Sequence, residues 1–159
     1  MTVKAARRAA LGLVVGFGLM TASAVARGDD AQALETHRRL WEQAAINAYV
    51  YAYQKYCECH PETPPETYVT VRGAKVVDVR HQPYGFDHYV PAEPRNFEWY
   101  WTIDDLFDLV GHALERGSVV RVDFDSTLGF PTHVFIDHDA DLIGDEVDVR
   151  VTKLERLEE

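Results

Sequence analysis

The segment TIDDLFDLVGHALERGSVVRVDF, residues 102–124, decides the fold because its apolar residues change period within it. In its first part they recur every three or four positions and so line one stripe of a helix: Ile103, Leu106, Phe107, Val110 and Leu114. Thr102 with Asp105 three residues later is typical of a helix start, and Gly117 is typical of a helix end. After Gly117, apolar and polar residues alternate. The segment therefore predicts a helix followed by a strand with one buried face.

Two further strands follow in the sequence, PTHVFID (131–137) and EVDVRVTKL (146–154). Apolar residues at every second position predict the buried face of a sheet: Val120, Val122, Phe124, Val134, Ile136, Val147, Val149 and Val151. Arg121 and Arg150 fall between them and are predicted on the solvent-exposed face. We expect these arginines to form cross-strand ion pairs with a neighbouring aspartate such as Asp148.

The first half of the chain repeats this order of elements. Residues 31–48 (AQALETHRRLWEQAAINA) have a helical pattern, residues 49–59 (YVYAYQKYCEC) alternate as a strand, and residues 67–80 (TYVTVRGAKVVDVR) predict a hairpin that turns at Gly73. The sequence thus predicts an α+β fold. We expect an antiparallel sheet of about six strands with two helices packed on one face, built from two helix-strand-strand-strand halves.

Residues 1–26 have the pattern of an export signal. Lys4, Arg7 and Arg8 precede an apolar run, and an A-x-A cleavage pattern lies at residues 24–26. The predicted organisation is a signal peptide, 1–26, and a single α+β domain, 27–159. No later apolar run is long enough to predict a membrane span. We therefore expect a periplasmic or secreted protein.

Composition restricts the partners that the mature domain can recognise. Without the predicted signal, 13 basic and 26 acidic residues remain, a formal net charge of −13. So acidic a domain repels phosphate backbones and anionic lipid, which argues against a nucleic-acid or membrane-surface partner. Another envelope or extracellular protein fits better.

The absence of known catalytic motifs argues against an enzyme. The sequence has no H-E-x-x-H or C-x-x-C motif, no phosphate-binding glycine loop, and no serine in a strand-turn-helix nucleophile context. Cys57 and Cys59 are separated by one residue and are followed by His60. In an oxidising compartment they predict either a small local disulfide or a redox or copper-type thiol pair.

An acidic stretch between the last two strands is a candidate metal site. FIDHDADLIGDEVDV (135–149) spaces Asp137, Asp139, Asp141 and Asp145 much as a calcium-binding loop does. However, Leu142 stands where such a loop needs glycine, so an ordinary EF-hand is excluded. The stretch is predicted as a strand-connecting loop, with weak calcium binding as the hypothesis to test, and no other cofactor is expected. A zinc site of His133 and His138 with adjacent aspartates is the less favoured reading of the same region.

A long aromatic connection separates the two halves. Residues 81–101 (HQPYGFDHYVPAEPRNFEWYW) are crowded with rings, and long aromatic loops are often functional. Six residues are candidates for binding a partner. Four lie in this loop and two are arginines on the exposed sheet face: Tyr84, Phe86, His88, Tyr89, Arg121 and Arg150.

The order of these motifs resembles an uncharacterised family of exported bacterial proteins and lipoproteins, domain of unknown function 6174. The resemblance covers Trp41 to Leu154, and its most specific blocks are TLGFPTHVFID (127–137) and GDEVDVRV (144–151). The family's lipid-attachment cysteine is missing, and the loop over residues 82–98 looks expanded. The resemblance implies a fold and a compartment but no activity. More loosely, the layout resembles secreted inhibitor modules of the β-lactamase-inhibitor type, which is an analogy of fold only.

Together these observations predict an exported, non-enzymatic binding or inhibitor-like module that acts on another envelope or extracellular protein. The alternative is a metal-binding or redox-active envelope protein that uses Cys57 and Cys59 or the acidic stretch at 137–148.

Overall fold

The computed structural model describes residues 22–56, 65–83, 85–139, 141–142 and 144–158. These residues form α1 (Ala22–Ala44), β1 (Ala48–Tyr56), β2 (Thr67–Arg72), β3 (Lys75–His81), β4 (Val90–Pro91), a 3₁₀ helix (Pro94–Trp99), α2 (Ile103–Arg116), β5 (Val119–Phe124), β6 (Pro131–Asp137) and β7 (Val147–Arg156). Most of the predicted signal peptide, the Cys57 and Cys59 pair, and Tyr84 lie outside the described residues.

The sheet has the strand order β4-β3-β2-β1-β7-β6-β5, and every neighbouring pair is antiparallel. The predicted α+β class and the repeated order of one helix followed by three strands are confirmed. The expected strand number was one too low, because the two-residue β4 forms inside the predicted aromatic connection and pairs with the end of β3. A strand of two residues that includes Pro91 is too short to show apolar-polar alternation, so the sequence pattern did not predict β4.

One hydrophobic core lies between the helices and one face of the sheet. The strands contribute Tyr49, Tyr51, Tyr53, Val69, Val71, Val79, Val134, Ile136, Val149 and Val151. Helix α2 contributes four residues of its predicted stripe together with Ala113, whereas Leu114 is only partly buried against them. Leu34 and Trp41 of α1 join the same core, so both helices cover the same sheet face. Leu40, one position before Trp41 in α1, is 36% exposed.

Buried tyrosines of β1 fix the start of α2. The Ile103 N–H donates to the Tyr49 hydroxyl over 3.0 Å, and the Tyr51 hydroxyl donates to the Trp101 carbonyl. Burial raises the pKa of both phenols, so both remain protonated donors and acceptors in the folded protein. A capping box joins Thr102 and Asp105 at this helix start, as predicted.

The turn between β5 and β6 packs closely against α1. The carboxylate of Asp125 accepts the N–H groups of Thr127 and Leu128, which closes the turn. Gly129 follows with φ +81°, and a Cβ atom at this position would lie 2.3 Å from the carbonyl oxygen of His37. Only glycine allows this approach and this backbone conformation together.

Candidate functional site

The sheet face opposite the helices, here called the open face, carries rings, cations and carboxylates on neighbouring strands. Strand alternation places on it Tyr56, Tyr68, Arg121, Asp123, His133, Phe135, Asp148 and Arg150. In β7 the register shifts at Thr152, opposite the Ala52/Tyr53 step of β1. This bulge brings Lys153 onto the open face, where simple alternation would have pointed it into the core.

Three cations of the open face lie over aromatic rings. Arg121 lies 4.8 Å from the ring centre of Phe135, Arg150 lies 5.0 Å from that of Tyr56, and the Lys153 ammonium lies 5.7 Å from that of Tyr68. Each such contact contributes about 0.5–1 kcal/mol at an exposed site. The cations are thereby held against the sheet while they remain exposed to solvent.

Asp148 pairs with a histidine and not with an arginine. His133 Nε2 lies 2.9 Å from Asp148 Oδ1, and His133 Nδ1 lies 3.5 Å from Asp123 Oδ2. The predicted position of Asp148 on the exposed face is correct. The predicted ion pairs of the arginines with an aspartate are absent from the described residues, because the sheet register sets Asp148 opposite two rings, Phe135 and Tyr56.

A second polar cluster joins β2 to the β7 bulge. Glu66 accepts hydrogen bonds from the Tyr68 hydroxyl (2.6 Å), the Thr152 hydroxyl (2.7 Å) and the Lys153 ammonium (3.2 Å). The hydrogen bond from Tyr68 is the main reason that the pKa of Glu66 lies below its ordinary value, and the one from Thr152 adds to it. Correspondingly, the hydrogen bond to Glu66 raises the pKa of Lys153. This cluster holds the ring of Tyr68 in place.

The aromatic loop meets the open face at Tyr68. The ring of Tyr89 contacts the Tyr68 ring edge-on, with centres 5.4 Å apart, and remains 42% exposed. Phe86, 54% exposed, packs against His88, whose Nδ1 lies 3.1 Å from Asp87 Oδ1. The described candidates of the loop are therefore exposed, and Tyr89 links the loop to the sheet.

The acidic stretch does not gather its carboxylates into a cluster. Asp139 accepts the N–H of Asp141, and among the described residues no group of three or more His, Cys, Asp or Glu side chains is arranged to hold a metal ion. Asp137 and Asp145 each have one buried carboxylate oxygen without a hydrogen-bond partner among the described residues. Likewise, His138 lies 3.5 Å from the Ser118 hydroxyl, whereas His133 belongs to the open face.

Several residues of the open face were not predicted as site residues from the sequence. Strand alternation in the sequence places the rings of Tyr56 and Phe135 on the same side as Arg150 and Arg121. Their position on the open face could therefore have been predicted. The position of Lys153 had no such signal, because it depends on the β7 bulge. Glu66 lies before β2, and its contacts depend on tertiary structure.

The fold and the site together define a class: an antiparallel α+β domain with helices on one sheet face and a charged, aromatic surface on the other. The chain belongs to a family of unknown function, DUF6174, whose model matches residues 33–156. This match runs from α1 to the last residue of β7. A comparison with curated proteins found no match. In the described part of the chain, no helix is both long and apolar enough to cross a membrane.

Proposed function

We propose that the protein is an exported, non-enzymatic binding or inhibitor-like module that recognises another envelope or extracellular protein through its open face and aromatic loop. The observation that carries the proposal is the row of three cation-over-ring pairs, which Tyr89 extends toward the loop. The export signal predicted at residues 1–26 supports the compartment, and the absence of catalytic motifs in the sequence supports a non-enzymatic role.

Recognition by this surface has a physical basis. Arginine and tyrosine are enriched among the residues that dominate binding energy at protein interfaces. On the open face the arginines are already held over rings, so they lose less conformational freedom on binding than free side chains do. Their N–H groups match carboxylates and backbone carbonyls of a partner, and the rings bury apolar area.

The experiment is cross-linking and retrieval from the native envelope, followed by quantitative binding with the purified partner. Tyr84→Ala combined with Tyr89→Ala, and separately Arg150→Ala, are expected to weaken binding by about tenfold or more, as loss of a dominant interface residue does. Trp99→Ala is the matched control, since Trp99 is 67% exposed but lies in the 3₁₀ helix at the end of the aromatic connection, outside the candidate residues at 84–89.

Two outcomes contradict the proposal. Retrieval of no specific partner after cross-linking is one. The other is a partner whose affinity changes as much with Trp99→Ala as with the loop and Arg150 variants, because the open face is then not the binding surface.

The alternative function is metal binding or redox activity, and one observation favours it. Within the described part of the chain, the buried oxygens of Asp137 and Asp145 lack hydrogen-bond partners, and a buried unpaired carboxylate oxygen is costly unless a cation or solvent satisfies it. Thiol titration of Cys57 and Cys59 with metal analysis of the mature protein separates the two functions. If calcium binds, millimolar calcium raises the Tm, and Asp141→Asn with Asp145→Asn abolishes the rise.

A further inference from the structure

We infer that two copies of this protein pair through the edge strand β5, in antiparallel fashion about Val122, to form one continuous sheet. The two edges of the sheet differ in how well they are protected. At one edge, β4 has two residues and includes Pro91, which lacks the N–H needed for pairing. At the other edge, β5 has six residues, VVRVDF, without proline. Its Val119 is 47% exposed.

Alternation along β5 identifies the backbone groups that face away from the sheet. At the end of the β5 to β6 hairpin, the Asp125 N–H donates to the Phe130 carbonyl over 2.8 Å. Because backbone groups of an antiparallel strand point to opposite sides at successive residues, the odd-numbered residues of β5 face β6. The N–H and C=O groups of Val120, Val122 and Phe124 therefore point outward. Within the described residues, β5 has no strand neighbour on that side.

Charge fixes the register in which a second copy fits. With the two-fold axis at Val122, the outward backbone groups of Val122 pair with those of Val122 in the second copy. Arg121 then lies opposite Asp123 of the second copy, and Asp123 lies opposite its Arg121. Both side chains are exposed on the open face, so this pairing forms two cross-strand ion pairs.

The neighbouring registers are unfavourable. An axis at Arg121 sets the two arginines against each other, and an axis at Asp123 sets the two aspartates against each other. Edge charges of a single sign repel a second copy of the same strand wherever they meet, whereas the Arg-Val-Asp order of β5 is complementary to itself when the axis lies at Val122.

Apolar side chains also favour the same register. On the helix-facing side, Val120 lies opposite Phe124 of the second copy, and Val122 lies opposite its equivalent. In one copy these three residues are only partly buried, although they pack against the core. A second copy buries the remainder and extends both hydrophobic cores across the junction.

The first test is a charge exchange read by sedimentation equilibrium of the full chain, over micromolar to millimolar concentrations. Wild type is expected to form dimers. Arg121→Asp alone or Asp123→Arg alone places like charges across both pairs and is expected to raise the dissociation constant at least about tenfold. The double variant, Arg121→Asp with Asp123→Arg, restores complementarity and is expected to restore the dimer.

A matched control lies on the same sheet, away from the free edge. Asp78 and Arg80 of β3 have the same spacing and form a 3.7 Å ion pair, but β4 covers the outer side of Arg80. Arg80→Asp is expected to leave the dissociation constant unchanged. A circular dichroism melt of every variant separates loss of the dimer from loss of the fold.

Amide hydrogen exchange provides a test without substitutions. The outward N–H groups of Val120, Val122 and Phe124 are expected to exchange slowly at concentrations where the dimer forms and quickly where it dissociates. The N–H groups of Arg121 and Asp123 face β6 and are expected to be protected in both cases.

Three results overturn the inference. One is a wild-type protein that is monomeric throughout, including one whose β5 instead pairs with a strand of another protein. A dimer that survives both single charge reversals is the second. The third is a folded double variant that stays monomeric.

Discussion

Replacing Gly129 by alanine is expected to be among the most destabilising single-methyl changes in this chain. The added Cβ lies 2.3 Å from the carbonyl oxygen of His37 and 2.8 Å from the Cβ of Leu40. The obstacle is the backbone of α1, so a side-chain rotation cannot relieve it. Overpacking of this kind costs about 1–3 kcal/mol. The left-handed conformation, φ +81°, costs alanine about 1–2 kcal/mol more.

The expected loss in the free energy of unfolding is therefore about 3 kcal/mol, which lowers the Tm by roughly 10 °C in a domain of this size. Urea denaturation and calorimetry measure both quantities. Gly85→Ala is the matched control, because Gly85 has the same φ of +81° with no neighbour within 4 Å in the described part of the chain. The Gly85→Ala variant carries only the conformational cost of alanine at positive φ, so the difference between the two variants measures the steric cost at Gly129. Equal losses in the two variants would refute the claim that the turn at Gly129 presses against α1.

Two further predictions follow from groups with shifted pKa values. The pKa of Glu66 is lowered from its ordinary value of 4.5, mainly by the hydrogen bond from Tyr68, so its contribution to stability is present above that pH and is lost as the pH falls below it. Glu66→Gln should accordingly flatten the acid side of the stability curve in urea titrations, and an unchanged pH dependence would exclude this role. Burial raises the pKa of Tyr49 and Tyr51 above 10.0, so their contribution is present below pH 10 and is lost as the pH rises further. Tyr51→Phe, which deprives the Trp101 carbonyl of its donor, should cost about 1–3 kcal/mol at neutral pH. Burial raises the pKa of Tyr53 as well, so ultraviolet titration of wild type should show that the three phenols of Tyr49, Tyr51 and Tyr53 ionise only on unfolding, and simultaneous ionisation of all tyrosines would contradict it.

The elements that were predicted well are those that local sequence determines. The period of α2, its capping box at Thr102 and its end at Gly117 are all local signals, and the structure contains all three. The hairpin between β2 and β3 is equally local, since Gly73 and Ala74 both adopt positive φ.

The elements that were missed depend on tertiary contacts. Helix α1 was expected to extend to residue 48 but ends at Ala44, where Ala45 takes φ 48° and the chain turns into β1. The β7 bulge that places Lys153 on the open face depends on pairing with β1, far away in sequence. The exposed positions of Arg121 and Arg150 were predicted correctly, whereas their ring partners were not predicted, because a partner across strands depends on register.

The pairing of β1 with β7 has a consequence for how the chain folds. The two central strands come from opposite ends of the described chain, with Tyr49 opposite Arg156, and β1 also holds the start of α2 through its tyrosines. Contacts between such distant residues give a high contact order, which slows folding. Neither helix-strand-strand-strand half contains this central pair by itself, so a half chain is not expected to fold. The central pair of the sheet can therefore form only after β7 has been synthesised, which is late in the described chain.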